Sequence, residues 1–242
     1  MNLQDDGTGF PITQAVLDGT QQGKIFESGA SRFVLHKAGF GSILKEPACQ
    51  YNDFFNLISN EEIPKYFHLY SASQGLINAC NMQAGKMNIK IRERVVLRYL
   101  GKEPLVVNFP KGFCAIPKKD FQVESFSGFG LNLESKFWNS KIDFLEHAMP
   151  VGLMDENGQP AALCYSAANS SGLAEIDIYT AEKHRNKGLG KLVTSLFINE
   201  CLQNDYTPNW DCFVENKGSL ITAETVGFKH YKEYCFISIF RK

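Results

Sequence analysis

The sequence predicts a mixed α/β fold in which a smaller α/β unit is followed by a larger one. Three observations support this prediction. Segments with the two-residue alternation of strands and segments with helical periodicity follow one another along the chain. Prolines between residues 101 and 119 predict a boundary that separates domains at 1–115 and 116–242. A basic, glycine-containing turn at residues 184–191 joins a strand to a helix in the second domain.

Composition narrows the class of protein. The chain has 242 residues, 44% of them hydrophobic, so it can bury a substantial core. Its net charge of −1 argues against nucleic-acid or membrane-surface binding. The N-terminus lacks the pattern of a signal peptide, and no apolar run is long enough to span a bilayer. The seven cysteines are scattered without Cys-x-x-Cys spacing, which favours a reduced, cytoplasmic protein with no metal site.

The first half is expected to form short elements and carries no recognisable catalytic motif. Residues 1–30 lack sustained periodicity and predict an arm with at most a helical turn. A long strand, Met87–Leu100, has a basic face that fits either a solvated edge strand or a surface for an acidic substrate or partner. The other predicted elements are two strands within Phe33–Leu44, a strand at Lys65–Tyr70, and helices at Asp53–Ile58 and from a cap at Ser71 to Met82.

The second half is expected to begin with an antiparallel meander that leads into one long helix. Asn157-Gly158 is a strong hairpin signal. In chain order the predicted elements are a strand at Phe121–Phe126, a helix through Trp138 that ends at Pro150, strands at Val151–Met154, Ala161–Ala167 and Glu175–Thr180, a helix from about Gly188 to Gln203, and strands at Pro208–Val214 and Lys232–Phe240.

The basic turn is suited to hold an anion. Apolar residues recur on one helical face after it, so a helix begins near Gly188. The first backbone N–H groups of a helix have no helical partner and form the positive end of its dipole. Gly188 and Gly190 leave that backbone open to an approaching anion, and positive charge comes from Arg185, Lys187 and Lys191. These features predict a diphosphate site.

Two familiar phosphate-binding motifs do not fit this turn. A nucleotide P-loop would need glycine at position 185 and Ser or Thr at 192, where Arg185 and Leu192 stand. A dinucleotide-binding motif would need a small residue in place of Val193. The remaining pattern, Arg185-x-x-Gly188-x-Gly190, resembles the pyrophosphate loop of the GNAT superfamily of acyl-CoA-dependent N-acetyltransferases.

The flanking sequence extends the resemblance over residues 150–240. In that superfamily the loop follows a strand that pairs with pantetheine, and the next strand splays away. An Asn and a small hydroxylic residue follow, before a Gly-Phe pair; here these are Asn216, Ser219 and Gly227–Phe228. The sequence around His184 and Pro208 is similar to that of zwittermicin-resistance-type acetyltransferases. In related proteins the first half can be a degenerate copy of the second.

The resemblance implies a GNAT-type fold in the second domain and acetyl-CoA as the acyl donor. An unpaired backbone N–H near Ile178–Thr180 would polarise the thioester carbonyl. His184 is expected at the surface or at the start of the helix, and Trp210 either lines the acceptor pocket or packs in the core. The residues expected to bind coenzyme A are Ile178, Tyr179, Thr180, Arg185, Asn186, Lys187, Gly188, Leu189, Gly190, Lys191, Asn216 and Ser219.

Catalysis of acetyl transfer calls for a general base and profits from a proton donor. Glu175 and Asp177 share one face of their predicted strand and are candidate bases, although either can be an exposed or backbone-capping carboxylate instead. A tyrosine often serves as the acid in this superfamily, at the position that Ala223 occupies here. Tyr234 is the expected substitute, together with Tyr231, although both can be core residues.

These expectations describe an N-acetyltransferase that transfers an acetyl group from acetyl-CoA to a primary amine of a small molecule. The amine would attack directly in a ternary complex, since positioning suffices without a covalent enzyme intermediate. A non-catalytic acyl-CoA sensor and a protein or peptide N-acetyltransferase are the alternatives. The protein is expected to be a monomer or homodimer.

Overall fold

The computed structural model describes residues 8–29, 31–45, 51–83, 85 and 87–242. The first seven residues of the predicted arm and Cys49 lie outside this range. The chain divides into two compact units: unit 1 comprises Met1–Val95 and Glu233–Lys242, and unit 2 comprises Val96–Lys232. A compact unit is not the same as a domain that folds alone, so the predicted domain boundary at residue 115 stays a prediction.

Strands and helices alternate along the chain, and the predicted mixed α/β fold class is confirmed. The strands are β1 (Gly23–Ser28), β2 (Ser31–His36), β3 (Phe40–Lys45), β4 (Tyr66–Leu69), β5 (Met87–Arg98), β6 (Phe113–Ala115), β7 (Val151–Asp155), β8 (Pro160–Ser170), β9 (Leu173–Thr180), β10 (Thr207–Phe213) and β11 (Lys229–Arg241). The α-helices are α1 (Pro11–Leu17), α2 (Asn52–Ile58), α3 (Gln74–Met82), α4 (Leu133–Lys136), α5 (Lys141–His147), α6 (Leu189–Gln203) and α7 (Lys217–Val226). Within the described ranges, no helix has both the length and the apolar character needed to cross a membrane.

Unit 1 is built on an antiparallel meander of β1, β2 and β3. β4 lies parallel to β3, with Phe40 opposite His68 and Gly41 opposite Leu69, and β11 pairs antiparallel with β4. Apolar residues of α2 and α3 pack against the sheet and bury aromatic rings almost completely. Burial of each such ring stabilises the unit by about 1.5–3 kcal/mol.

The start of unit 1 is more ordered than the sequence predicts. α1 and β1 occupy the stretch that was expected to be an arm. α1 has Pro11 in its first turn and buries Ile12 and Ala15. A helix of seven residues is too short to show a helical period, and its stability comes from packing, here against β2 and β3.

The cap of α3 also differs from the prediction. Ser73, and not Ser71, caps the helix, since its Oγ accepts a hydrogen bond from the Leu76 N–H at 3.1 Å. Ser71 instead has a left-handed φ angle of 50° in the turn that precedes the cap.

Two arginines on the basic face of β5 stack on aromatic rings. In unit 1 the Arg94 guanidinium lies 5.0 Å from the ring centroid of Phe236. In unit 2 the Arg98 guanidinium lies 3.5 Å from the ring centroid of Tyr231. These arginines are half-buried and stack on aromatic rings of their own unit.

Unit 2 contains a sheet in the order β10-β9-β8-β7-β6. β6 to β9 are antiparallel, and β10 is parallel to β9. As predicted, Asn157-Gly158 forms the turn between β7 and β8, with Gly158 at a φ angle of 71°. The buried side of α6, including Val193 and Phe197, packs against one face of the sheet. On the opposite face, Tyr165 contacts the ring of Phe144 in α5.

The predicted strand at Phe121–Phe126 is wrong. Short 3-10 helices at Lys118–Asp120 and Val123–Phe129 occupy this region. The rings of Phe121 and Phe126 stack with centroids 5.1 Å apart. Residues five apart in a strand would point to opposite faces and lie about 16 Å apart. The chain therefore coils here, because coiling brings both rings to one face of the sheet.

Candidate active site

The turn before α6 leaves its backbone amides open. Asn186 and Gly188 adopt left-handed φ angles of 63° and 77°, and α6 then begins at Leu189. The first helical hydrogen bond runs from the Leu192 N–H to the Gly188 carbonyl, and no side chain caps the helix. None of the described residues accepts a hydrogen bond from the amides of residues 188–191. These amides are therefore available to an anion.

Exposed positive side chains surround these amides. They are Arg185, Lys187 and Lys191. The Arg185 Nε donates to the carbonyl of Thr180 at 3.4 Å, and its Nη1 lies 3.3 Å from the Glu182 carboxylate. An exposed pair of this kind contributes little and exchanges readily, so the guanidinium can turn to an incoming anion.

His184 is buried, so the expected surface position is wrong; it lies in the short 3-10 helix Glu182–His184 that precedes α6. Its Nε2 lies 3.0 Å from Asp155 Oδ2, and its Nδ1 lies 3.3 Å from Lys187 Nζ. Asp155 Oδ1 also accepts hydrogen bonds from the backbone N–H groups of Gln159 and Asn157 at 2.9 and 3.0 Å. The Gln159 bond foremost, then a contact with Lys183 Nζ at 3.2 Å and the bonds with Asn157 and His184, lower the pKa of Asp155 to about 2, while burial opposes them. The β7–β8 turn thus anchors the start of the anion loop.

β9 and β10 separate beside the loop. Their parallel pairs begin with Leu173 and Thr207 and end with Glu175 and Asn209. Beyond this last pair, β9 continues to Thr180 and β10 to Phe213. The two strands therefore diverge, and the far half of β9 has an unpaired edge towards β10. The splay that the family resemblance implies is present.

The backbone of this edge points into the gap. Thr207 N–H donates to the Gly172 carbonyl at 2.8 Å, so alternate residues of β9 turn their backbone groups towards β10. Ile178 is one of them, and its N–H is the predicted carbonyl-polarising group. A Cβ built on Gly190 would lie 3.7 Å from Thr180 Oγ1. The open amides are thus next to the end of this edge.

Two side chains at the start of α7 lie in the same unit. Asn216 Oδ1 caps α7 by accepting from the Ser219 N–H at 3.2 Å. Ser219 Oγ accepts from Trp210 Nε1 at 3.0 Å. Within the described ranges, no acceptor pairs with Asn216 Nδ2 or with the Ser219 hydroxyl hydrogen. Trp210 is buried against the ring of Phe228, so it is a packing residue.

Glu175 is the more deeply buried of the two candidate bases. It is only 7% exposed, and its Oε2 accepts a hydrogen bond from Asn209 Nδ2 at 2.5 Å. Asn209 Oδ1 in turn accepts from Arg98 Nε at 3.3 Å, and Arg98 stacks on the Tyr231 ring. This network holds Glu175 at the last β9–β10 pair, where the gap opens.

Asp177 is held by a lysine and a tyrosine of unit 2. Its Oδ2 accepts from Lys136 Nζ at 2.7 Å and from the Tyr165 hydroxyl at 2.6 Å. Burial, with the nearby Asp177 carboxylate, raises the pKa of Tyr165 well above its usual value, so the phenol remains a donor. Sequence reasoning missed Lys136 and Tyr165.

Among the predicted catalytic residues, Tyr234 alone belongs to unit 1. It is buried, with its ring 4.8 Å from that of Phe10 and 6.1 Å from that of Tyr70. Its role as an acid stays a prediction. Leu189, predicted to bind the cofactor, has a buried side chain, so it can offer only its backbone amide.

The loop and the gap define a class of fold: a mixed sheet in which open helix amides follow a strand whose parallel neighbour splays away. A family model for the GNAT acetyltransferases matches residues 37–237. This chain belongs to the GNAT acetyltransferase family. The closer resemblance to zwittermicin-resistance-type enzymes stays a prediction.

Individual relatives agree with this assignment. The chain is 32% identical over 128 residues to YdfB, an uncharacterised N-acetyltransferase of Bacillus subtilis. That match covers 53% of this chain and 49% of YdfB, so the chain spans about half the length of this relative. A GCN5-related N-acetyltransferase-like protein from Streptococcus suis has the same fold, with a TM-score of 0.67 at 20% identity over 95% of this chain and 92% of that one. A tandem GNAT protein from the clavulanic acid biosynthesis pathway aligns with a TM-score of 0.55 at 12% identity over 87% of this chain and 78% of that one.

Proposed function

We propose that this protein is an N-acetyltransferase that transfers an acetyl group from acetyl-CoA to a primary amine of a small molecule, by direct attack in a ternary complex. One observation carries the proposal. The amides of residues 188–191 have no described partner and lie next to the unpaired edge of β9. A diphosphate fits the open amides, and an extended amide chain fits the strand edge.

The roles of the binding residues follow from this arrangement. The amides of residues 188–191, with Arg185, Lys187 and Lys191, would hold the diphosphate of coenzyme A. The β9 edge from Ile178 to Thr180 would pair with the pantetheine arm. The free donors of Asn216 and Ser219 would bind pantetheine or its neighbouring groups.

The transfer needs few groups from the protein. The amine nitrogen bonds to the thioester carbon, the C–S bond breaks, and coenzyme A leaves as a thiolate. Glu175 is suited to accept the proton that the amine loses, since it lies buried at the last β9–β10 pair, where the gap opens. The Ile178 N–H would stabilise the oxyanion.

The proposal of a small-molecule acceptor is supported by two aromatic rings that form a wall on the face of β9 that carries Glu175. Tyr179 lies on that face, and its ring is 4.5 Å from the ring of Phe129 in the 3-10 helix Val123–Phe129. This wall narrows the approach to the carboxylates within unit 2. Cytoplasmic location belongs to the same proposal, and it is supported by free thiols at all described cysteines.

The test is a change from Gly188 to Trp. A bulky side chain at this exposed position would cover the amides and prevent several charge-assisted hydrogen bonds to the diphosphate. We therefore expect the affinity for coenzyme A to fall at least about 100-fold. The matched control is Gly172→Trp, because Gly172 has a similar φ angle of 71° and equally open surroundings. Binding is measured by calorimetry and folding by circular dichroism.

Wild-type affinity in a folded Gly188→Trp protein would refute the loop assignment. Loss of thioester in the presence of a panel of amines then separates a transferase from an acyl-CoA sensor, because a sensor binds without turnover. Peptides included in that panel distinguish the protein acetyltransferase alternative.

A further inference from the structure

Unit 1 contains a cavity of ≈ 540 Å³ whose lining residues all belong to that unit. This volume is typical of small-molecule sites, which measure about 300–1,000 Å³. The cavity lies between α1, β3 and the segment from Tyr70 to Ser73 that leads into α3. None of the residues given roles in acetyl transfer lines it.

The cavity occupies a strand gap. The described pairs between β3 and β4 end at Gly41, whose carbonyl still accepts from the Tyr70 N–H at 2.9 Å. Two residues later the Ala72 N–H donates to the carbonyl of Cys235 at 3.0 Å, so this segment stays beside β11 while β3 diverges from it. β3 continues to Lys45 with no described pairing to β4. In the order of elements of unit 1, this gap corresponds to the β9–β10 gap of unit 2.

The walls of the cavity are apolar with hydroxyl groups. Phe10 and Tyr70 stack with ring centroids 4.4 Å apart, and leucines line the remaining apolar surface. Ser71 is exposed at the cavity in a left-handed conformation, a type of backbone strain that is concentrated at ligand sites. Arg32 is the one charged residue among the described walls, and its Nε pairs with Glu27 at 2.7 Å. The charges of Arg32 and Glu27 cancel within this exposed pair, so the described walls favour an uncharged ligand.

A diphosphate does not fit unit 1. The connection from β3 to α2 has the sequence Glu-Pro-Ala-Cys-Gln-Tyr at residues 46–51, without glycine or a basic residue. α2 has an aspartate, Asp53, in its first turn, which opposes an anion there. The gap is thus retained without the means to hold phosphate.

We propose that the cavity of unit 1 is a second binding site for an uncharged, flexible molecule with amide or hydroxyl groups and an apolar body, about the size of the pantetheine arm without its phosphates. The apolar walls would cover the body, and the Ser71 hydroxyl and the open strand edge would meet its polar groups. This site does not depend on the transferase activity proposed for unit 2.

The test is a calorimetric titration of pantetheine into the full-length protein with coenzyme A present at saturation, so that the unit 2 cleft is filled. We expect one equivalent of pantetheine to bind. A change of Leu44, a half-buried wall residue, to Trp should weaken this binding at least about tenfold by filling the cavity. Raised salt should weaken coenzyme A binding and leave pantetheine binding unchanged, because the cavity ligand is uncharged.

Two further variants keep the result interpretable. Leu17→Trp fills the cavity from α1, and Val106→Trp adds the same ring at a position in unit 2 that is 90% exposed. Pantetheine binding that vanishes when coenzyme A is present would overturn the proposal, as would wild-type binding in folded Leu44→Trp and Leu17→Trp proteins. If coenzyme A itself does not bind, the proposed function fails, while the cavity variants still test this site with pantetheine alone.

Discussion

The two units have the same order of elements but different connections before their central helices. In unit 1, β1, β2 and β3 lead through α2 to β4, parallel to β3, and then through α3 to β5. In unit 2, β7, β8 and β9 lead through α6 to β10, parallel to β9, and α7 then leads to β11, most of which belongs to unit 1. This correspondence supports the proposal that unit 1 is a degenerate copy of unit 2.

The two units share the strand gap but differ in the residues at its ends. In both units a parallel strand pair ends early and leaves a gap. Only unit 2 has an exposed, glycine-containing basic loop, and its central helix has 15 residues where α2 has seven. At the last parallel pair, unit 2 has Glu175 where unit 1 has Gly41. The gap is a property of the fold, whereas anion binding and base chemistry come from a few residues placed at its ends.

The largest expected effect tests the base that unit 1 lacks. Glu175→Gln keeps the shape of the side chain and removes its ability to accept a proton. We expect kcat to fall about 100-fold, which is at the lower end of the effects seen when a general base is lost. The KM for acetyl-CoA should change little. The measurement is steady-state thioester loss with a reactive amine.

The matched control is Asp177→Asn on the same face of β9. Asp177 is already paired with Lys136 and Tyr165, so its removal should change kcat less than about tenfold. A reversed order of the two effects would show that Asp177 is the base and would remove this difference between the units.

A smaller effect is expected from the anchor of the loop. Asp155→Asn weakens the contacts that hold His184 and the β7–β8 turn, so the open amides should be less well positioned. We expect the KM for acetyl-CoA to rise about tenfold with kcat nearly unchanged, since the loop binds and does not react. Asp120→Asn, at an exposed position of unit 2, is the control. An unchanged KM in Asp155→Asn would contradict the anchoring role.

The open loop could be predicted because its signals are local, whereas the gap between the strands was expected only from the family resemblance. Gly188 and Gly190 between basic residues, followed by a periodic helix, indicate an open helix start without knowledge of the rest of the chain. The anchor could not be predicted in the same way. Asp155 and His184 meet across 29 positions of sequence, and only the hairpin geometry brings them together.

The partner of Asp177 shows a second limit. The hairpin between β8 and β9 contains an irregularity between Ser166 and Ala168, and beyond it Tyr165 lies opposite Asp177. Without that shift, a count from the turn would place Ser166 there. A single bulge thus exchanges one side chain for its neighbour on the other face, and the sequence contains no clear signal for it.

The smallest expected effect concerns the pH dependence of stability, which should differ between the two units. Burial, and then the charges of Arg92 and Arg94, lower the pKa of His68 in unit 1 from 6.5 to about 4. The folded state therefore keeps His68 neutral while the unfolded chain takes up a proton, so stability falls as the pH falls from about 6.5 to about 4. Asp155 in unit 2 has a lowered pKa of about 2, so its contribution is present above its usual value of 3.8 and is lost only as the pH falls through about 2.

Urea unfolding at pH 7.5 and at pH 5.0 measures the first window. We expect His68→Gln to reduce the loss of unfolding free energy between these pH values by about 1 kcal/mol, a figure discounted because the ring is partly exposed and solvent screens its charges. Glutamine can keep a hydrogen bond to Ser238, which lies 3.0 Å from His68 Nδ1. Coenzyme A affinity should not follow this window, because Asp155 stays ionised throughout it. An equal loss in the variant and the wild type would place the acid-sensitive group elsewhere, and a parallel loss of coenzyme A affinity would show that the two units do not respond to acid separately.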